Sequence, residues 1–237
     1  MQNFSPLSIL VHDQARVYGN RTALRYRDYS VGIWKDISWN EFSSRVRELS
    51  NAMLSIGVVE QENMAVFSQN MPEVLMVDFA AYAIRAVTIP MYATSSEMQV
   101  KYIVSDASIR YIFVGEQEQY DIAFRVLKLG SSLEKLIIFD RNVQRNPEDN
   151  ISIYLDDFRK GHDNRYEEKI ERRTKAVQSQ DLANILYTSG TTGLSKGVML
   201  THEMYNSALS AHYGVLPLSD KDIILNFPPF THVLERG

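Results

Sequence analysis

The stretch that decides the fold runs MAVFS at residues 64–68, PEVLMVDFAAYAI at residues 72–84 and VTI at residues 87–89. A short apolar run is followed by a helix-length segment that is apolar almost all round, and then by a second short apolar run. The proline at position 72 suits the first turn of a helix. Because strands buried on both faces read as continuous apolar runs, this stretch predicts a β-α-β unit in a parallel sheet.

The same alternation of strand and helix patterns continues on both sides of this stretch. Upstream, Ser5-Pro6 predicts a helix start, residues 23–29 and 31–37 a hairpin, and Ser38–Glu41 a capping box before a helix ending at Gly57. Downstream, helices are predicted after Ser95 or Ser96 and over 119–127 and 202–212, and strands over 110–114, 135–139, 183–187, 197–200 and 223–227. The predicted fold is α/β, with mostly parallel sheets flanked by helices.

The composition is that of a globular protein with an ordinary core. The 237 residues are 45% hydrophobic and 23% charged, and the formal net charge of −4 gives no general attraction to nucleic acid. The absence of cysteine excludes a disulfide framework, a thiolate metal site and a cysteine nucleophile. We expect a cytoplasmic protein, since neither a secretory signal nor an apolar run of about 18 residues is evident.

Residues 188–197, TSGTTGLSKG, concentrate five hydroxyl side chains, three glycines and one lysine. Glycines let backbone amides approach a ligand closely, while hydroxyls and a lysine add donors and positive charge, which suits a polyphosphate. A flexible surface turn is the alternative, but the apolar flanks 185–187 and 198–200 predict buried strands. The loop is not a Walker A motif, because Ser195 stands where the second glycine is required, and no Gly-x-Gly-x-x-Gly occurs.

Residues 187–198 resemble the AMP-binding signature of adenylate-forming enzymes, a superfamily that includes acyl-CoA synthetases and luciferases. Residues 226–236, NFPPFTHVLER, resemble that family's next motif in the form typical of long-chain acyl-CoA synthetases, and residues 37–42, 67–73 and 89–95 resemble the same branch. Two positions depart from the family pattern. Ser195 stands where proline is usual, and Arg85 stands where glycine is usual.

The resemblance implies a two-step ligase reaction that uses ATP, Mg²⁺ and coenzyme A. A fatty carboxylate attacks the α-phosphorus of ATP to give acyl-adenylate and pyrophosphate, and the thiol of coenzyme A then displaces AMP. By motif match, Thr188 belongs to the nucleotide site and contributes to the Mg²⁺ site, and His232 is the catalytic histidine beside the acyl and α-phosphate pocket. The matched phosphate ligands are Ser189, Gly190, Thr191, Thr192, Gly193 and Lys196.

We expect residues 1–175 to form the N-terminal α/β region of the AMP-binding domain, and residues 176–237 the phosphate-loop segment and the start of a second sheet region. The family's later motifs, a glutamate for magnesium, an aspartate for the ribose and a lysine for adenylation, are not found, so we expect an N-terminal fragment that is inactive alone. The expected partners are fatty acid, ATP and coenzyme A, without nucleic acid. Peripheral membrane contact would suit an enzyme that handles fatty acids, and the style of the motifs favours a long acyl chain.

Four alternatives accompany this interpretation. The chain could be a nucleotide-binding module or belong to another adenylate-forming ligase. Residues 193–197 also satisfy Gly-x-Ser-x-Gly, so an α/β-hydrolase with Ser195 as nucleophile, Asp220 or Asp222 and His232 is a remote possibility. Residues 202–206 nearly match a zinc-protease motif, but Asn206 replaces the second histidine, and a helix start is the better interpretation.

Overall fold

The computed structural model describes residues 5–28, 31–160, 165–188, 195–213, 215–216 and 219–231. Within these residues, a two-stranded hairpin and a seven-stranded sheet are accompanied by helices. The strands are β1 (Thr22–Asp28), β2 (Ile33–Ser38), β3 (Asn63–Phe67), β4 (Val87–Met91), β5 (Tyr111–Val114), β6 (Lys135–Ile138), β7 (Ile153–Tyr154), β8 (Leu182–Thr188) and β9 (Lys196–Thr201). The helices are α1 (Leu7–Tyr18), α2 (Trp39–Ser55), α3 (Pro72–Ala83), α4 (Glu97–Asp106), α5 (Gln117–Lys128), α6 (Leu155–Arg159), α7 (Glu167–Lys175) and α8 (His202–Tyr213).

The large sheet has the strand order β7-β6-β5-β3-β4-β8-β9. Every neighbouring pair is parallel except β8 and β9, which form an antiparallel hairpin. From β3 the chain passes through α3 to β4 on one side, and then through α4 to β5 on the other. Because parallel crossovers are right-handed, this reversal places α3 and α4 on opposite faces of the sheet. The predicted α/β fold with a mostly parallel sheet flanked by helices is confirmed.

Each central strand divides its side chains between two apolar layers. In β3, Met64 and Val66 join the cluster under α2 and α3, while Ala65 and Phe67 join the cluster under α4 and α5. In β5 the same alternation sends Phe113 to the first layer and Ile112 to the second. Successive side chains point to opposite faces, and both faces are covered by apolar layers. The buried positions of β3 and β5 are therefore apolar, and the strands appear in the sequence as unbroken apolar runs.

Most of the predicted element boundaries agree with the structure. The hairpin is formed by β1 and β2, and the Ser38 hydroxyl accepts a hydrogen bond of 3.2 Å from the Glu41 amide at the start of α2. The predicted serine cap of α1 is wrong by one residue, since Pro6 occupies the N-cap position and Ser5 precedes it. At the start of α4, Ser96 rather than Ser95 forms the capping box.

One prediction about a segment outside the central sheet is wrong. Residues 223–227 form no strand, and their side chains are exposed, because none of the described strands lies beside them to supply a hydrogen-bonded partner. Helix α7 buries two of its side chains although its sequence is highly charged. Ile170 is buried, and the buried Arg173 guanidinium donates hydrogen bonds of 3.1 Å to the carbonyls of Val58 and Ile84.

Arg85 occupies a backbone conformation that explains the usual glycine at this position. Its φ is +59°, in the left-handed region where a side chain costs about 1–2 kcal/mol. Its guanidinium bonds both carboxylate oxygens of Asp181, at 2.9 and 3.0 Å, and also reaches Glu60. The arginine therefore joins the turn before β4 to the turn before β8, which offsets the backbone cost. Among the helices of the described part of the chain, none is long and apolar enough to cross a membrane.

Candidate functional site

A cavity of about 430 Å³ lies just beyond the carboxyl ends of β4 and β8. In open α/β sheets this end of the strands is the usual place for a ligand. The floor of the cavity is apolar and the rim carries hydroxyl and amide groups, a combination common in small-molecule sites. Its lining residues are Pro90, Met91, Tyr92, Ser95, Gln99, Ile103, Leu186, Tyr187, Thr188, Ser195, Val198, Leu200 and Thr231.

The β8–β9 hairpin holds both ends of the predicted phosphate loop at the rim of this cavity. Thr188, the last residue of β8, lies directly opposite Lys196, the first residue of β9. Both are exposed, and within the described part of the chain Lys196 forms no salt bridge, so its charge can serve an anion. The predicted ligands Ser189, Gly190, Thr191, Thr192 and Gly193 lie outside the described residues.

Gly197 is required by a close approach within this hairpin. It pairs with Tyr187 across the two strands. A β-carbon at position 197 would lie 2.7 Å from Cγ2 of Ile185 and 3.4 Å from the ring of Tyr187. A side chain here would force these neighbours apart, and the glycine of the loop motif therefore serves packing beneath the loop.

The second sequence motif reaches the same cavity through an asparagine that follows β3. The Asn70 side chain donates to the Pro228 carbonyl at 2.7 Å and accepts from the Phe230 amide at 2.9 Å. Thr231 consequently lines the cavity together with Thr188. The predicted catalytic residue His232 is the next residue and lies outside the described residues. The sequence motif contains Asn70, but no pattern assigned it this anchoring role.

A buried polar network supports β8 beneath the site. Asn184 accepts hydrogen bonds of 2.7 Å from the hydroxyls of Tyr82 and Tyr205, and donates to the Thr88 hydroxyl at 2.6 Å. Thr88 in turn donates to Asp78. The network joins α3, β4, β8 and α8. The sequence offers no periodic signal for it, because its members come from four separate elements that only the folded chain brings together.

His202 begins α8 next to this network. The predicted helix start is confirmed, with the Thr201 hydroxyl accepting from the Met204 amide at 3.3 Å. The imidazole is fully buried, its ring meets Tyr82 edge to face, and its two nitrogens have no hydrogen-bond partner within the described residues. Burial lowers the pKa of His202 to about 4, although Asp181 acts in the opposite direction. The histidine is therefore a neutral packing residue at pH 7.

The hydrolase alternative does not fit the hairpin. A nucleophile elbow turns from a strand into a helix, whereas Ser195 is followed directly by β9. The Ser195 carbonyl accepts a hydrogen bond of 3.0 Å from the Tyr102 hydroxyl. Tyr102 belongs to none of the sequence motifs described above. Among the described residues, no three histidine or acidic side chains gather into a metal site. The hydroxyl of Thr188 is one oxygen ligand that could join phosphate oxygens around Mg²⁺.

Comparisons with known proteins agree with this geometry. Residues 11–237 match the family described as AMP-binding enzyme. The chain is 30% identical over 217 residues to the long-chain-fatty-acid–CoA ligase FadD15 of Mycobacterium bovis, which covers 90% of this chain and 34% of that protein. It is 27% identical over 219 residues to fatty acyl-CoA synthetase A of Dictyostelium discoideum, covering 89% of this chain and 31% of that protein.

The fold is also shared with solved structures, among them that of the long-chain-fatty-acid-CoA ligase FadD1 from Archaeoglobus fulgidus, with a TM-score of 0.73 at 20% identity over 98% of this chain and 44% of that chain. A structure from Rhodopseudomonas palustris gives a TM-score of 0.77 at 17% identity, over 99% of this chain and 54% of that chain. The chain spans about a third of the length of the curated relatives it matches. Since the family match extends over nearly all of its residues, the chain belongs to the AMP-binding enzyme family.

Proposed function

We propose that this chain supplies the triphosphate-binding part of a long-chain fatty-acid–CoA ligase. The observation that carries the proposal is the pairing of Thr188 with Lys196 across β8 and β9, which brings both ends of the glycine-rich loop to the cavity rim. The named functions of the relatives support the choice of substrate class. The whole reaction, its acyl chain length and its partners are part of the proposal.

The proposed chemistry brings two anions together. The carboxylate oxygen of the fatty acid attacks the α-phosphorus of ATP, and pyrophosphate leaves. The sulfur of coenzyme A then attacks the acyl carbon, and AMP leaves. Lys196 and the loop amides would hold the β- and γ-phosphates, so that repulsion between the two anions is reduced and the α-phosphorus is oriented. Bound Mg²⁺ would supply further charge neutralisation, with Thr188 as one of its ligands.

His232 is proposed to act beside the acyl and α-phosphate groups. The anchoring of residues 228–230 by Asn70 supports this position, because it leads the chain into the cavity immediately before residue 232. The apolar floor formed by Met91, Ile103 and Leu186 suits an aliphatic or aromatic group. A cytoplasmic location, and contact with a membrane surface while fatty acid is taken up, belong to the same proposal.

The test is a titration of the chain with MgATP by calorimetry. Lys196→Ala should weaken MgATP binding by about tenfold, which corresponds to about 1.4 kcal/mol for one charge-assisted phosphate contact. Lys175→Ala is the matched control, since Lys175 is an exposed lysine at the end of α7, away from the hairpin. Equal affinities of Lys196→Ala and the wild type would refute the role of the loop.

A second measurement separates a ligase from a nucleotide-binding module. ATP–pyrophosphate exchange is measured with palmitate, first with residues 1–237 and then with a longer ligase that contains this sequence. We expect exchange only in the longer protein, where Lys196→Ala should raise the KM for ATP more than that for palmitate. MgATP binding without exchange in the longer protein would leave the binding module as the function.

A further inference from the structure

Helix α4 places two side chains, one helical turn apart, against the hairpin that carries the phosphate loop. The Tyr102 hydroxyl donates a hydrogen bond of 3.0 Å to the Ser195 carbonyl. The Asp106 carboxylate accepts a hydrogen bond of 2.5 Å from the Tyr187 hydroxyl. The two tyrosine rings meet edge to face, with centroids 6.3 Å apart. We call Tyr102, Asp106 and Tyr187 the α4 clamp.

The clamp contacts the loop at both of its ends. Tyr187 immediately precedes Thr188, and Ser195 immediately precedes Lys196, so each held residue is adjacent to a predicted ligand. Tyr187 also lies opposite Gly197, with its ring against the β9 backbone. Movement of either strand relative to α4 would therefore break a hydrogen bond, a ring contact, or both.

The hydrogen bond to Ser195 falls at the position where the family pattern has proline. A proline ring fixes φ near −65°, whereas serine leaves this torsion free. A hydrogen bond to the Ser195 carbonyl restrains the peptide group that joins Ser195 to Lys196. It thereby limits the orientations of Lys196. Burial, together with the bond to Asp106, raises the pKa of Tyr187, so its hydroxyl remains a donor throughout the physiological pH range.

We propose that Tyr102, Asp106 and Tyr187 are positioning residues that fix the exit of the phosphate loop and thereby aim the Lys196 ammonium at a bound polyphosphate. The inference rests on the proposed function, since it assigns the clamp a role in the affinity of that site. The clamp residues act through the hairpin backbone and Lys196, which supply the phosphate contacts.

The first experiment is a double-mutant cycle with MgATP as the probe and calorimetry as the measurement. Tyr102→Phe should weaken binding by about fivefold, the effect of losing one neutral hydrogen bond. In the Lys196→Ala background the same change should have no further effect, because the clamp acts through Lys196. A merely structural defect would weaken both backgrounds alike. Tyr154→Phe is the matched control, since its hydroxyl also donates to a carbonyl, that of Val143, at the far edge of the sheet.

The second experiment measures amide hydrogen exchange in the chain without ligand. Tyr102→Phe and Asp106→Asn should each raise the exchange rates of residues 196–198 by about fivefold, whereas Tyr154→Phe should leave them unchanged. Residues 111–114 in the sheet centre serve as the internal reference, because they are fully buried.

The outcomes separate the two proposals. If Lys196→Ala binds MgATP as the wild type does, or if the wild type binds none, the proposed function fails and the inference fails with it. If Lys196→Ala weakens binding while Tyr102→Phe changes neither affinity nor exchange, the inference alone is overturned. Additive losses in the two backgrounds would likewise overturn it, since they would show that the clamp does not act through Lys196.

Discussion

The centre of the large sheet and its β8–β9 edge are built from similar residues but held in different ways. β5 is buried at every position between two helical layers, whereas β9 leaves Val198 46% and Met199 61% exposed. At the centre, apolar contacts on both faces stabilise the strands. At the edge, cross-strand pairing, the α4 clamp and the Asn184 network add to the apolar contacts of β8. The more weakly covered region carries the predicted ligands, because a binding site must remain accessible to its ligand.

The largest expected difference between the two regions concerns a phenylalanine in each. Phe113 is fully buried in β5, and Phe113→Ala should lower the free energy of unfolding by about 3–5 kcal/mol through lost burial and a cavity. Phe227 is 81% exposed, and Phe227→Ala should change the free energy of unfolding by less than about 0.5 kcal/mol. Urea unfolding followed by circular dichroism measures both. Similar losses would show that the exposed segment is packed in solution.

The free energy of unfolding should depend on pH through His202, which lies at the start of α8 directly after β9. Its native pKa of about 4 lies below the unfolded value of 6.5, so the unfolded chain takes up this proton first as pH falls. The stabilisation is complete above pH 6.5 and is lost between about pH 6.5 and 4, with a total of about 3 kcal/mol. His202→Leu should remove that part of the slope when urea unfolding is repeated at several pH values. An unchanged slope in the variant would contradict the buried neutral imidazole.

The Asn184 network should contribute somewhat less to the free energy of unfolding than the neutral His202 does. Asn184→Ala removes the acceptor used by two tyrosine hydroxyls and the donor to Thr88, which should cost about 2 kcal/mol of unfolding free energy. The exposed Asn150→Ala is the matched control, with an expected change of less than about 0.5 kcal/mol. Thermal unfolding followed by circular dichroism compares them. Equal melting temperatures for the two variants would mean that the network adds no stability beyond apolar packing.

The smallest expected effect concerns the hairpin itself. Gly197→Ala should cost about 1 kcal/mol, because the added methyl group meets Ile185 and Tyr187. In the Ile185→Ala background the same substitution should cost close to nothing, since the nearest atom is gone. Urea unfolding of the four proteins gives this cycle. If the cost is the same in both backgrounds, the glycine is required for a reason other than this contact.

The sequence predicted the central elements well and the peripheral ones less well. Uninterrupted apolar runs such as residues 64–68 admit few alternatives, so β3, α3 and β4 agree closely with the predictions. Residues 223–227 have the composition of a strand, but strand formation also requires a neighbouring strand, which no local pattern reports. Arg173 is buried although it lies in the highly charged sequence of α7. Its guanidinium can be buried because it donates to the carbonyls of Val58 and Ile84, which are distant from it in sequence.

The sequence by itself determined the α/β class and the family, and it predicted a phosphate loop, because each rests on contiguous residues whose spacing carries the signal. Only the tertiary structure decided that α4 contacts the residues flanking this loop, that Asn70 leads residue 231 into the same cavity, and that Arg85 adopts a left-handed backbone conformation. These features depend on hydrogen bonds and ion pairs between residues separated by about 90 to 160 positions. Such contacts exist only after the sheet has set the register of its strands, and they have no period that a linear pattern could show.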